Sequence, residues 1–180
     1  HIHSELSGAY TGENSLLLAK STGAQLCLIG HRERRQLFSE TDEAISMKVQ
    51  ICQKHNVLPV VCIGETLQER QSGKTFDILF KQLSAGLSLC DKDQKLVIAY
   101  EPVWAIGTGQ VATVQQVVEV HARLHLFLNE KGYKNVSLLY GGSVKAENAK
   151  DLISIPHVDG FLIGGASLEV DSFLKICNSI

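Results

Sequence analysis

The residues best suited to chemistry stand at the ends of short apolar runs, and the first of them is Glu101. It lies within KLVIAYEPVWAIGTG, residues 95–109, directly behind the run Leu96–Tyr100. An apolar, β-branched run without polar alternation suits a strand buried on both faces. Pro102 fixes its own φ and biases the preceding residue towards an extended conformation, so the Glu101 carboxylate is held at the strand end. Beyond the proline, Val103, Trp104, Ala105 and Ile106 form an apolar loop tip, and Gly107-Thr108-Gly109 lets the backbone turn freely. Such a loop, greasy at its tip and stiff at one end, is expected to close over a ligand as a lid, because no helix or strand is available to bury Trp104 and Ile106 permanently. Shielding from water raises a carboxylate's pKa towards that of a useful general base. A glutamate at a strand end is more often simply solvated. The proline and the apolar flap weigh against that outcome here.

Other strand ends carry groups of the same kind. His31 follows Gly30 at the end of Leu26–Ile29, and Ser143 follows Gly141-Gly142 behind Val136–Tyr140. Gly164 and Gly165 close the last apolar run. A lone histidine in a polar loop, or a lone glycine, needs no function. Several at one end of a sheet could hold an anion, since glycines expose backbone N–H groups, Ser143 adds a hydroxyl, and a short helix starts near Gly165-Ala166-Ser167.

Stepping to the elements that must carry these groups, residues 1–12 are polar and turn-like, and a short helix is expected over about 14–21. The strand Leu26–Ile29 is followed by a polar loop through Ser39-Glu40-Thr41-Asp42. That loop leads into a helix with Ile45, Val49 and Cys52 on one face. A second strand over 57–63 ends at Gly64-Glu65. The next helix places Phe76, Leu79, Phe80, Leu83 and Leu87 together, and Leu96–Tyr100 is the third strand. Thr113-x-x-Gln116 matches a capping box, opening a helix that runs to Lys131 and stops at Gly132. Val136–Tyr140 is the fourth strand. A short helix with Ala149, Leu152 and Ile153 precedes a fifth strand over 161–163, and a final helix is expected to bury Val170, Phe173, Leu174 and Cys177. Strand and helix alternate throughout, which predicts a parallel sheet with covering helices. With the reactive residues gathered at the C-terminal strand ends, a (β/α)8 barrel fits better than a doubly wound sheet, which would concentrate its glycines at one switch point.

Composition limits the classes further. The 180 residues are 44% hydrophobic with a formal net charge of −2. That suits a globular chain with a sizeable core and carries no nucleic-acid footprint. No apolar run approaches the ~18 residues of a membrane span, and the polar start is unlike a signal peptide. Five cysteines, odd in number and without CxxC spacing, fit a reducing cytoplasm. No linker-like tract interrupts the chain, so residues 1–180 are expected to form one domain. Three motifs are decoys. Gly107-x-Gly109-x-x-Ala112 begins well after its strand instead of immediately, unlike a dinucleotide fingerprint. Gly73-Lys74-Thr75 has Gln68 where a P-loop needs glycine. His121 and His125 share a helix at metal-pair spacing but have no evident third ligand, so no metal and no cofactor are expected.

AYEPVWAIGTG resembles the catalytic-glutamate strand and lid of triose-phosphate isomerases. The likeness continues through GAYTGE, IGHRERRQLFSETD, CIGETLQER, YGGSVKAENA and DGFLIGGASL, in family order over almost the whole chain. It implies a TIM barrel that interconverts glyceraldehyde 3-phosphate and dihydroxyacetone phosphate through an enediol(ate). Glu101 is then the base and His31 the electrophile, the family's own pairing of a carboxylate with a neutral imidazole. Glu33 is a supporting residue, and Gly107, Ser143, Gly164 and Gly165 are the phosphate cradle. The lid comprises Pro102, Val103, Trp104, Ala105, Ile106, Thr108 and Gly109. Tyr10-Thr11-Gly12 resembles the loop tip that reaches into a partner subunit, which implies a homodimer.

Three residues, at two places, depart from the family pattern. Arg32 stands where a serine usually follows the histidine, and Gln110-Val111 replaces a Lys-Thr pair at the lid's end. About five βα units are legible, against the eight strands and ~250 residues of the complete fold. The family's first strand, with its Asn and Lys around a Trp, has no counterpart here. The chain is therefore expected to be the C-terminal part of a longer isomerase. A catalytically impaired fragment, a non-catalytic phosphate-binding module and a different sugar-phosphate barrel remain as alternatives.

Overall fold

A computed structural model of the chain describes residues 1–105 and 111–180. Five strands, β1 (Leu26–Ile29), β2 (Leu58–Ile63), β3 (Leu96–Tyr100), β4 (Val136–Tyr140) and β5 (Gly160–Phe161), form one parallel sheet. Their order in the sheet is their order in the sequence. A doubly wound sheet reverses direction at a switch point. No reversal occurs among the described residues, and the architecture is that of a partial TIM barrel.

Among the described residues eight helices lie between and beside the strands: α1 (Leu16–Ser21), α2 (Arg32–Leu37), α3 (Asp42–Lys54), α4 (Leu67–Gln71), α5 (Thr75–Gly86), α6 (Val114–Glu130), α7 (Ala146–Ile153) and α8 (Val170–Cys177). Their starts are written in the sequence. Thr113 and Gln116 cap α6 reciprocally, Thr66 and Glu69 do the same for α4, and the Thr41 hydroxyl accepts from the Ala44 N–H at the head of α3.

Side-chain alternation along the strands divides the apolar residues between two faces. Val61, Ile63, Ile98 and Tyr100 point into the main core beneath the helices, which runs from Ile2 to Ile176. Val60, Cys62, Val97 and Ala99 form a smaller cluster with Leu58, Leu139 and Leu162 on the opposite face. All five residues of β3 are buried, as its unbroken apolar run requires.

Four elements differ from the sequence expectation, the first being α4, where no helix was expected. RERRQL lacks an apolar stripe and reads as loop, yet it folds as α2, because these are good helix formers and His31 caps them. The fifth strand is Gly160–Phe161 instead of 161–163. In α8 only Ile176 is fully buried, while Val170 is 71% and Leu174 51% exposed, and Phe173 and Cys177 are exposed too. This helix packs on α7 and on the 3-10 turn Gly165–Ser167, leaving its remaining apolar face uncovered among the described residues.

Strand register sets the functional rim. Ile63 pairs with Tyr100 and Tyr100 with Tyr140, so these strands end at one level. The ladder continues one residue further: Glu101 N–H donates to Ile63 O at 2.7 Å, Gly141 N–H to Tyr100 O at 2.8 Å and Leu162 N–H to Tyr140 O at 3.0 Å. Ile29 pairs with Val61, so His31 comes level with Ile63.

Candidate active site

Glu101 is placed by backbone and surrounded by glycine. Its N–H continues the β2–β3 ladder, and its side chain is only 3% exposed. A Cβ at Gly64 would lie 1.8 Å from Glu101 O, and one at Gly141 3.0 Å from Glu101 Cγ. Only residues without side chains let three strand ends meet this closely. The partners of the carboxylate include His31 and Arg32. Oε1 lies 3.0 Å from His31 Nε2, and Oε2 accepts the Arg32 N–H at 3.2 Å.

His31 is the N-cap of α2, and its Nδ1 accepts the Glu33 N–H at 3.4 Å. An accepting Nδ1 places the proton of the neutral ring on Nε2, facing Glu101. The hydrogen bond to Glu101 raises the His31 pKa above its usual value, against the opposing effect of burial. Glu33 supports the ring through its backbone, since its carboxylate Oε2 is 3.9 Å from Nδ1 and well exposed.

Residues that the sequence did not single out hold this loop in place. Arg35 donates from Nε to Gly30 O at 2.8 Å, from one terminal nitrogen to Asp42 at 2.6 Å and from the other to Cys62 O at 3.1 Å. It ties the His31 turn to β2. Buried Glu40 accepts the Gly30 N–H at 3.1 Å and pairs with Lys48. Both lie in the charged stretch after His31, where a run of arginines gives no hint of which one turns inward.

The first half of the expected lid is packed down. Val103–Ala105 is a 3-10 turn, and Trp104, 9% exposed, and Ala105 belong to the main core. The expectation that no element could bury Trp104 is corrected on this point. Its anchor is Glu65, whose Oε1 accepts from Trp104 Nε1 at 3.0 Å, Tyr100 Oη at 3.1 Å and Arg70 at 3.0 Å. Glu65 is fully buried, and burial beside this carboxylate pushes the Tyr100 phenol pKa well up. The Gly64-Glu65 strand end was the available signal for it. Ile106, Gly107, Thr108, Gly109 and Gln110 lie outside the described residues.

Ser143, Gly164 and Gly165 line a cavity of about 880 Å³. The Ser143 hydroxyl donates to Ala105 O at 2.8 Å, so this loop and the lid stem touch. Gly164 and Gly165 are exposed and have open space where a Cβ would stand. A neighbouring cavity of about 130 Å³ is lined by Gly30, Gly64, Glu101 and Val103. Gly141, which packs on Glu101, also lines the larger one, so the two groups of residues are adjacent.

His121 and His125 are occupied elsewhere. His121 is buried, with Nδ1 2.8 Å from His157 O, and burial lowers its pKa. The His125 ring stacks on His157 at 3.8 Å. No helix among the described residues is long and apolar enough to cross a membrane.

With this geometry in view, the comparisons are specific. The family model for triosephosphate isomerase matches residues 1–180. The triosephosphate isomerase of Bdellovibrio bacteriovorus is 52% identical over 174 residues, covering 97% of this chain and 72% of the relative. That of Francisella tularensis subsp. mediasiatica is 51% identical over 176 residues, covering 95% and 70%. That of Nitrosococcus oceani is 46% identical over 177 residues, covering 96% and 71%.

Proposed function

Because the chain belongs to the triosephosphate isomerase family, we propose that Glu101 and His31 carry out the interconversion of glyceraldehyde 3-phosphate and dihydroxyacetone phosphate. The observation that carries this assignment is the 3.0 Å approach of Glu101 Oε1 to His31 Nε2 on one rim. Glu101 removes the proton from the carbon beside the carbonyl and returns it to the neighbouring carbon. His31 donates its Nε2–H to the carbonyl oxygen, stabilises the enediol(ate), and recovers a proton from the neighbouring hydroxyl as that carbon becomes the new carbonyl. Substrate must therefore enter between these groups and replace their mutual hydrogen bond.

Ser143 and the backbone N–H groups of Gly164 and Gly165 receive the phosphate, with Gly107 joining them from the lid. Trp104, held by Glu65, fixes a stem with Pro102, Val103 and Ala105, from which the lid residues Ile106, Thr108 and Gly109 continue over the reacting carbons. The 180 residues form one domain, the C-terminal part of a (β/α)8 barrel, supported by a core cluster that spans almost the whole chain. A homodimer through the exposed Tyr10-Thr11-Gly12 tip and a cytoplasmic location are parts of the same reading, the latter supported by five free cysteines.

Turnover of glyceraldehyde 3-phosphate tests the assignment. Glu101→Gln should lower kcat by about 10²–10⁴-fold, the usual contribution of a positioned general base, with the circular dichroism spectrum unchanged. A Glu101→Gln protein with full turnover would refute it.

A further inference from the structure

Arg32 is where this chain's sequence departs from its family beside the electrophile, and the structure gives the departure a place. Its backbone N–H is already committed to Glu101 Oε2. Arg32 lines both the Ser143–Gly165 cavity and the Glu101 cavity, and no other described residue does so. Resting on the isomerase reading above, we propose that the Arg32 guanidinium binds the phosphate of the substrate at the boundary between its cradle and the reacting carbons.

The guanidinium is not spent on the protein. Its Nε is buried without a partner among the described residues, and its nearest carboxylate, exposed Glu33, is 3.9 Å away. Arg35, one turn along the same helix, shows what a structural arginine looks like here: its Nε and both terminal nitrogens are engaged. With the Arg32 side chain 24% exposed, its terminal nitrogens are the donors within reach of a phosphate in the cavity. The planar guanidinium matches phosphate geometry with paired donors, which a compact ammonium cannot do. Lys145 and Lys175, the other cations of the larger cavity, are exposed and share it with Glu147, Glu169 and Asp171. Arg32 is the partly buried positive charge on the side nearest Glu101.

Two measurements test this. Inorganic phosphate binding, followed by calorimetry, should weaken about tenfold or more in Arg32→Ser and by less in Arg32→Lys. KM for glyceraldehyde 3-phosphate should rise in Arg32→Ser, and kcat/KM should fall at least about tenfold more for it than for glyceraldehyde, which lacks the phosphate. An unchanged phosphate affinity in a folded Arg32→Ser or Arg32→Gln protein overturns the proposal. Equal losses on the two substrates overturn it as well, since the residue would then act only through Glu101. A wild-type protein that binds phosphate through Arg32 but turns over neither substrate would refute the isomerase reading and leave the contact standing.

Discussion

Glycine at positions 64 and 141 matters because of what stands beside it. With a Cβ at Gly64 only 1.8 Å from a Glu101 backbone oxygen, the strand ends cannot meet around this carboxylate if position 64 carries a side chain, and a Cβ at 141 would press on Glu101 Cγ at 3.0 Å. The base and the imidazole then meet at 3.0 Å, and this contact has a pH signature. Pairing with Glu101 raises the His31 pKa above 6.5. The stabilisation from a raised histidine pKa is fully present below the unfolded value, near 6.5, and is lost as pH rises through the higher folded value. An NMR titration of the His31 ring should show a midpoint above 6.5 in the wild type and a lower one in Glu101→Gln. An unmoved midpoint would mean that the carboxylate does not face the ring in solution.

Elements meet at Glu65, which joins the end of β2 to the end of β3, to the 3-10 turn at Trp104 and to Arg70 in α4. One buried oxygen accepts all three hydrogen bonds, so the carboxylate fixes the lid stem relative to the sheet. Removing one member of a buried charged network leaves the others uncompensated. Glu65→Leu should therefore destabilise the protein by roughly 3–5 kcal/mol in urea unfolding, and Glu65→Gln, which keeps an acceptor, by clearly less. Trp104 fluorescence reports the same event, since the indole loses its hydrogen bond in Glu65→Leu. Equal stability of Glu65→Leu and the wild type would show that the anchor lies elsewhere. At this scale capping threonines were legible because a cap is local chemistry. Helix α2 was not, because its six residues bury none of their side chains and so carry no apolar period.

Taken as a whole, the molecule is a sheet in sequence order with β1 and β5 at its two edges among the described residues. Leu26 and Leu28 of β1 are 53% and 39% exposed, and the outer face of α8 is also apolar. Assembly is expected through the Tyr10-Thr11-Gly12 tip, where Tyr10 is exposed and stacks on His3. Sedimentation equilibrium should give twice the mass of a single chain for the wild type and a smaller mass for Thr11→Arg, which places a charge at the tip. Identical masses for the two proteins would remove the tip from the interface. The sequence by itself determined the succession of strands and helices and pointed to Glu101, His31 and Ser143, at the strand ends, as the groups to look for. These follow from apolar period, turn residues and side-chain chemistry, all of which are local. Only the tertiary structure decided that Arg35 and Glu40 hold the His31 turn while Arg32 is left open to the cavities, that Glu65 anchors Trp104, and that α8 keeps an uncovered face. Each of these depends on which distant strand end a side chain meets, and strand register rather than residue type sets that meeting.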